Sequence, residues 1–181
     1  MGEEIRRAMR KEAQAGFNPP AWALWPPMRF LPEDKKAREE VVKRWADLIF
    51  EWASAVNKVV IDLDELAKTP PFDVPSELLR AAAERLVQEG KARWQEKGKV
   101  MVVFWRSRQS WAQIIYKWLR ENFKEVFSLH ELIEVGEDFS ELPIEELEAC
   151  LKLLEKSGLV KKVKKVKGYY KLVIPGVPDW F

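Results

Sequence analysis

Apolar residues recur at helical spacing along Val41, Trp45, Leu48, Ile49, Trp52, Ala53 and Val56, which predicts one amphipathic helix with a single buried face. The same stripe returns at Trp111, Ile114, Ile115, Trp118 and Leu119. Trp45 and Trp111 lie 66 positions apart, and so do Trp52 and Trp118. Downstream, "DLDEL" (Asp62–Leu66) matches "SLHEL" (Ser128–Leu132) at the same offset. Each begins with a capping residue followed three places on by Glu, the spacing of a capping box. "PSELLRAAAERLVQEG" (Pro75–Gly90) then lines up with "PIEELEACLKLLEKSG" (Pro143–Gly158), now 68 apart. Both have proline at the helix start and glycine just past its end. The two-residue drift falls in the loop "VGEDFSEL", where an insertion is tolerated.

Each repeat closes on two β-prone runs around a glycine: "KARWQEKGKVMVVFWR" about Gly98 and "LVKKVKKVKGYYKLVI" about Gly168. "VKKVKKV" has a period of three, but its β-branched content and the adjacent Gly-Tyr-Tyr favour a strand. Helix, short helix, longer helix, hairpin is the order of a winged helix-turn-helix. The expected fold class is therefore α+β, mainly helical, with two winged helix-turn-helix domains in tandem. The expected divisions are an N-terminal extension (1–16), a proline/tryptophan arm (17–34), a first domain (35–106), a second (107–175) and a tail (176–181). Units of this size are marginal alone, so the two are expected to pack together.

The arm "NPPAWALWPPMRF" (Asn18–Phe30) carries two Pro-Pro pairs, two tryptophans and one charge, Arg29. Proline removes an amide donor, so no helix is expected there, and the arm lies ahead of both repeats. Polyproline-like segments bind with little loss of backbone entropy, and tryptophans supply large contact area. Either the tryptophans anchor a partner or they fold back on the first domain. A mixed arrangement turns one tryptophan inward and one outward.

Composition narrows the chemistry. The chain has 181 residues and a net charge of only +2, so no general polyanion-binding character follows. Charged residues reach 33%, a balance also met in heat-adapted proteins. A single cysteine, Cys150, on or beside an apolar stripe, excludes an intramolecular disulfide and a cysteine-rich zinc site. His130 is the only histidine and has no ligands at fixed spacing, and no phosphate loop, nucleophile elbow or HExxH helix occurs. No metal, no cofactor and no catalysis are expected. No apolar run approaches the roughly 20 residues of a membrane span, and the N-terminus lacks the apolar core of a secretory signal. A cytoplasmic location is expected.

On the third helices, Arg80 and Arg85 are offset by Glu77, Glu84 and Glu89, and Lys152 and Lys156 by Glu145, Glu146, Glu148 and Glu155. Carboxylates at a groove-reading helix repel phosphate, which disfavours nucleic acid. The second wing is the exception, with Lys161, Lys162, Lys164, Lys165, Lys167 and Lys171 and no intervening acid. It reads as an anionic-surface contact, for phosphates or peripheral anionic membrane, or as a solvated edge protected by lysines.

"FWRSRQSWAQIIYKW" (Phe104–Trp118) resembles the interdomain segment of the small subunit of ESCRT-II, the vacuolar-protein-sorting-twenty-five family. Trp105, Arg106, Trp111, Ile115, Tyr116 and Trp118 fit that family's pattern in register. "EVFSLHELIEVGEDFSEL" is similar to its second short helix and acidic loop, and Pro26-Pro27 lies 18 residues before Trp45, as in the family. The similarity spans about 17–173. It implies a non-catalytic adaptor in endosomal and vesicle sorting and membrane remodelling, present twice in a Y-shaped complex and membrane-associated through it. It further implies that PPxY-type motifs in the arm dock onto the larger winged-helix subunits of ESCRT-II, and that the second winged helix recruits an ESCRT-III filament subunit. Pro19, Pro20 and Trp22 fit the first motif, with Trp for its usual Tyr or Phe. Pro26 and Pro27 open the second, but Arg29 occupies its aromatic position and Phe30 follows one place later. Trp25 and Phe30 complete the expected docking set. The alternative function is a winged-helix DNA-binding regulator acting through the lysine wing.

Overall fold

The computed structural model describes residues 16–173, and the expected extension (1–16, apart from its last residue) and tail (176–181) lie outside that range. The chain divides between Trp105 and Arg106 into two compact units.

In the first unit a one-turn helix α1 (Ala21–Leu24) and a 3-10 turn (Pro26–Arg29) precede α2 (Lys35–Ala55). Asp34 caps α2 by accepting the Ala37 amide at 2.9 Å. The unit continues through β1 (Val60–Asp62), α3 (Leu63–Leu66), α4 (Ser76–Gln88), β2 (Ala92–Glu96) and β3 (Val100–Val103). The sequence repeat is visible in the second unit: α5 (Arg108–Glu121), β4 (Val126–Ser128), α6 (Leu129–Glu134), α7 (Ile144–Lys156), β5 (Val160–Lys162) and β6 (Tyr169–Leu172). Each unit is a helix-turn-helix with a three-stranded antiparallel sheet, ordered β1-β3-β2 and β4-β6-β5. The strands β1 and β4 are not legible in the chain, because three residues are too few to display a period of two.

The repeat also governs how the helices end. α2 and α5 finish in the same two bonds: Lys58 N–H donates to the Ala53 carbonyl and Asn57 N–H to that of Ser54, as Lys124 N–H does to Leu119 and Phe123 N–H to Arg120, with Asn57 and Phe123 in the left-handed region. This is the Schellman arrangement, which satisfies carbonyls left open at a helix C-terminus. The capping residues predicted at Asp62 and Ser128 accept the amides of Glu65 and Glu131, at 3.4 and 3.1 Å.

Tryptophans of the first helix in each unit pack on a phenylalanine from the loop before the third helix. Trp52 meets Phe72 at 5.4 Å between ring centroids, and Trp118 meets Phe139 at 5.7 Å. Trp45, Ile49, Phe72, Leu78, Leu79, Leu86 and Met101 are among the fully buried side chains of the first unit. In the second, the extra two residues of the acidic loop accommodate a 3-10 turn (Asp138–Glu141) that delivers Phe139 to the core.

Two expectations are corrected here. "VKKVKKV" is a strand only as far as Lys162, and the chain from Lys164 to Gly168 turns. Period three and a strand's period of two are incompatible, so Val160, Val163 and Val166 cannot all face inward. Only Val160 is fully buried, and Val166 is 50% exposed. Glu146 is not on the outward face of α7. It is buried, and Arg108 donates to both of its carboxylate oxygens, at 2.7 and 2.9 Å.

Candidate functional site

The arm folds as two successive turns. Pro20 adopts φ −62° and ψ 149° and caps α1, while Pro26 and Pro27 open the 3-10 turn. The expectation that proline excludes helix here is therefore wrong for a positional reason. At the first positions of a turn the amide has no internal acceptor, so its absence costs nothing. The Ala23, Trp25 and Met28 amides then close the turns onto Pro20, Trp22 and Trp25 carbonyls at 3.0, 3.1 and 3.0 Å.

Contacts with the first unit hold these turns in place. Ala23 is fully buried, and Phe17, Trp22, Met28 and Leu31 pack against the core. Trp22 stands edge to face on Trp45 at 5.3 Å, and the Trp45 Nε1–H donates to the Met28 carbonyl at 2.7 Å. The arm expected outside both repeats is thus partly internal to the first. Arg29 completes the attachment. Its guanidinium donates to the carbonyls of Ala23 (2.8 Å), Pro71 (3.3 Å) and Asp73 (3.0 Å), and to Asp73 Oδ1 at 2.9 Å. Its side chain is only 19% exposed, so Arg29 serves the fold at the position where the docking motif has an aromatic.

The expected docking residues divide accordingly. Trp22, Pro19 and Pro20 are half-buried, whereas Pro26 and Pro27 are exposed. Trp25 and Phe30 point outward, 58% and 61% exposed. Leu24, absent from the sequence expectation, joins them at 60%. In α1 successive residues are turned about 100° apart, so with Trp22 and Ala23 both facing the core Leu24 is carried round to the outer side.

Elsewhere the side chains are occupied structurally. Arg85 is bonded to Glu89 at 2.6 Å; this hydrogen bond raises the guanidinium pKa and lowers that of the carboxyl. Trp94 Nε1–H donates to Glu84 at 3.0 Å. His130 is exposed beside Glu134 at 3.0 Å. Burial, reinforced by Glu146 and opposed by Arg108, pushes the Cys150 thiol up to about 11. Among the described residues no cluster of three or more His, Cys, Asp or Glu could hold a metal, and no helix is long and apolar enough to cross a membrane. On the wing, Lys161 and Lys162 lie in β5, while Lys164, Lys165 and Lys167 lie on the exposed turn.

The family model described as "ESCRT-II complex subunit" matches residues 24–148, more than half of the chain. The chain belongs to the ESCRT-II complex subunit family. It is 26% identical over 156 residues to vacuolar protein sorting-associated protein 25 of Arabidopsis thaliana, covering 80% of this chain and 87% of that protein. It is 31% identical over 102 residues to the protein of the same name from Schizosaccharomyces pombe, covering 54% and 58%. The crystal structure of subunit VPS25 of the endosomal trafficking complex ESCRT-II superposes with a TM-score of 0.62 at 20% identity, over 85% of this chain and 98% of that one. A chain in the crystal structure of the complex ESCRT-II (VPS22/VPS25/VPS36) gives 0.57 at 20% identity, over 86% and 98%. The fold is that of a tandem winged-helix ESCRT-II subunit.

The residues that carried the ESCRT-II resemblance are structural in this chain. Trp105 Nε1–H donates to the Lys58 carbonyl at 2.9 Å, closing the first unit. The Arg106 guanidinium lies over the Trp111 ring at 4.6 Å, and Trp111 and Ile115 are buried. They form no part of the exposed apolar surface.

Proposed function

We propose that this chain is a non-catalytic adaptor of endosomal and vesicle sorting, held in an ESCRT-II assembly by its N-terminal arm. Leu24, Trp25 and Phe30 dock onto larger winged-helix ESCRT-II subunits, and the second winged helix recruits an ESCRT-III filament subunit. The observation that carries this reading is the outward trio itself: large apolar side chains, more than half exposed, on a backbone already fixed by Arg29 and Trp45. A fixed backbone presents anchors with little ordering entropy left to lose on binding. Pro19, Pro20 and Trp22 support the presentation from the inner side, and Pro26 and Pro27 extend the outer one.

Calorimetry with the larger ESCRT-II subunits tests it. Trp25→Ala combined with Phe30→Ala is expected to weaken binding by more than about 30-fold, the loss typical of an interface anchor. Unchanged affinity would remove the arm from the interface. Removal of the second unit should leave that affinity intact while abolishing capture of the ESCRT-III subunit. A DNA regulator has less support, because the exposed Glu145 and Glu148 of α7 would meet phosphate.

A further inference from the structure

The second sheet presents an outward face that the first does not share. Directly opposed residues in antiparallel strands lie on one face. Val126, Lys171 and Lys161 oppose one another across β4, β6 and β5, and Ser128 and Tyr169 form the next row. The alternating residues Phe127, Leu172 and Val160 are buried on the opposite face. The outward face is therefore apolar at its β4 edge, cationic across its middle and aromatic toward the wing. Val126 and Tyr169 are 52% and 43% exposed. Beyond them the turn sets exposed Val166 among Lys164, Lys165 and Lys167. No carboxylate occurs from Lys156 to Val173. The first wing differs: Glu96, the last residue of β2, lies within the hairpin itself and 3.9 Å from Lys99, whereas the carboxylate that reaches the second wing, Glu155 at 3.9 Å from Lys162, comes from α7.

We propose that this face and wing turn form a peripheral membrane-contact surface for a bilayer containing anionic lipid. Lysines meet the headgroup layer while their stems, with Val166 and Tyr169, enter the interface. Lysine beside exposed apolar and aromatic side chains matches a bilayer boundary, which offers charge and hydrocarbon within a few ångströms. Duplex recognition by a winged helix would also bring α7 to the groove, where Glu145 and Glu148 are exposed. A bilayer touches the wing alone. The proposal is independent of the docking arm.

The test is co-sedimentation of the full chain with vesicles of phosphatidylcholine alone or with about one-third phosphatidylserine. Binding is expected only to the anionic vesicles and should fall as salt rises from about 0.1 to 0.5 M. Charge reversal of Lys164, Lys165 and Lys167 should weaken it by roughly fivefold or more per lysine. Charge reversal of Lys97 and Lys99 in the first wing should leave it unchanged. Val166→Ala with Tyr169→Ala should lower binding several-fold with the same salt dependence, the signature of apolar insertion. Circular dichroism confirms that these exposed-site variants fold. The proposal is overturned by equal binding to neutral vesicles, by no binding at low salt or by indifference to the wing substitutions. Preferential capture by a short duplex DNA over the anionic vesicles also overturns it and assigns the wing to nucleic acid.

Discussion

Trp22 of the arm lies edge to face on Trp45 of α2, 5.3 Å between ring centroids. The counterpart of Trp45 in the second unit is Trp111, and there the Arg106 guanidinium covers the ring at 4.6 Å. One unit closes over its first-helix tryptophan with a neighbouring cation, the other with an aromatic from the preceding segment. The arm therefore contributes to stability and exposes its remaining side chains at the same time. Trp22→Ala is expected to lower unfolding free energy by about 2 kcal/mol, since it strips a partly buried ring from Trp45. Trp25→Ala should change it by less than about 0.5 kcal/mol, as for most exposed sites. Urea unfolding of the two variants separates the inward ring from the outward one, and equal losses would contradict the division.

Arg29 makes a second prediction. Its guanidinium spans three carbonyls and one carboxylate, a geometry that a planar fork of donors can satisfy. Arg29→Ala should cost about 2 kcal/mol by leaving those acceptors without their donor. Arg29→Tyr, which restores the aromatic of the docking motif, should fare no better. Amide exchange at Ala23, Trp25 and Met28 should accelerate in both variants relative to the middle of α2. Unchanged protection would show that the arm holds without the clamp.

The two non-glycine residues in the left-handed region, among the described residues, predict opposite behaviour from ordinary exposed sites. Phe123 has φ +52° and is 90% exposed, so it bears backbone strain without burying its ring. Phe123→Gly should stabilise the chain by about 1 kcal/mol, because glycine adopts that conformation without a Cβ penalty. Asn57, at φ +54° in the first unit, already tolerates it, and Asn57→Gly should gain less. Thermal unfolding decides between these, and a loss of stability in the Phe123 variant would mean that its ring makes a contact after all.

Cys150 sets a pH dependence with a definite sign. Its thiol rises from an ordinary 9.0 to about 11, chiefly by burial. A group that holds its proton more tightly when folded contributes stability that is complete below the unfolded value and lost as pH climbs through the folded one. Stability should therefore decline between about pH 9 and pH 11, more steeply than in Cys150→Ala. Parallel denaturation curves for the two proteins over that range would refute the assignment. Native Cys150 should also resist alkylation near neutral pH, because the thiolate is the nucleophile.

Helix periodicity and the 66-residue repeat made both helix-turn-helix units readable, because the tryptophans on α2 and α5, seven residues apart, mark the inward face at every second turn. β1 and β4 were hidden, since strands of three residues are created by pairing with β3 and β6 and carry no local pattern. Arg29 was the larger omission. A motif comparison shows only that an aromatic is missing there, whereas its four acceptors come from Ala23 nearby and from Pro71 and Asp73 more than forty residues away. Leu24 was invisible for the converse reason: its exposure depends on Ala23 being buried, a fact of packing. The lysines of the second wing were plain in the chain, but that Lys161 and Lys171 share a face with Val126 and Tyr169 appears only in the strand register.

If the arm docks as proposed, the half-buried state of Trp22 would make it selective. A partner that reads Leu24, Trp25 and Phe30 takes the arm as it stands. A competitor whose pockets require Trp22 as well must first extract it from Trp45, and about 2 kcal/mol forfeited there lowers its affinity roughly 30-fold. Proline-rich motifs are common binding currency among unrelated domains. On the proposed docking role, a chain that occupies one of its own tryptophans would turn away readers of the linear motif and favour those shaped to the folded arm.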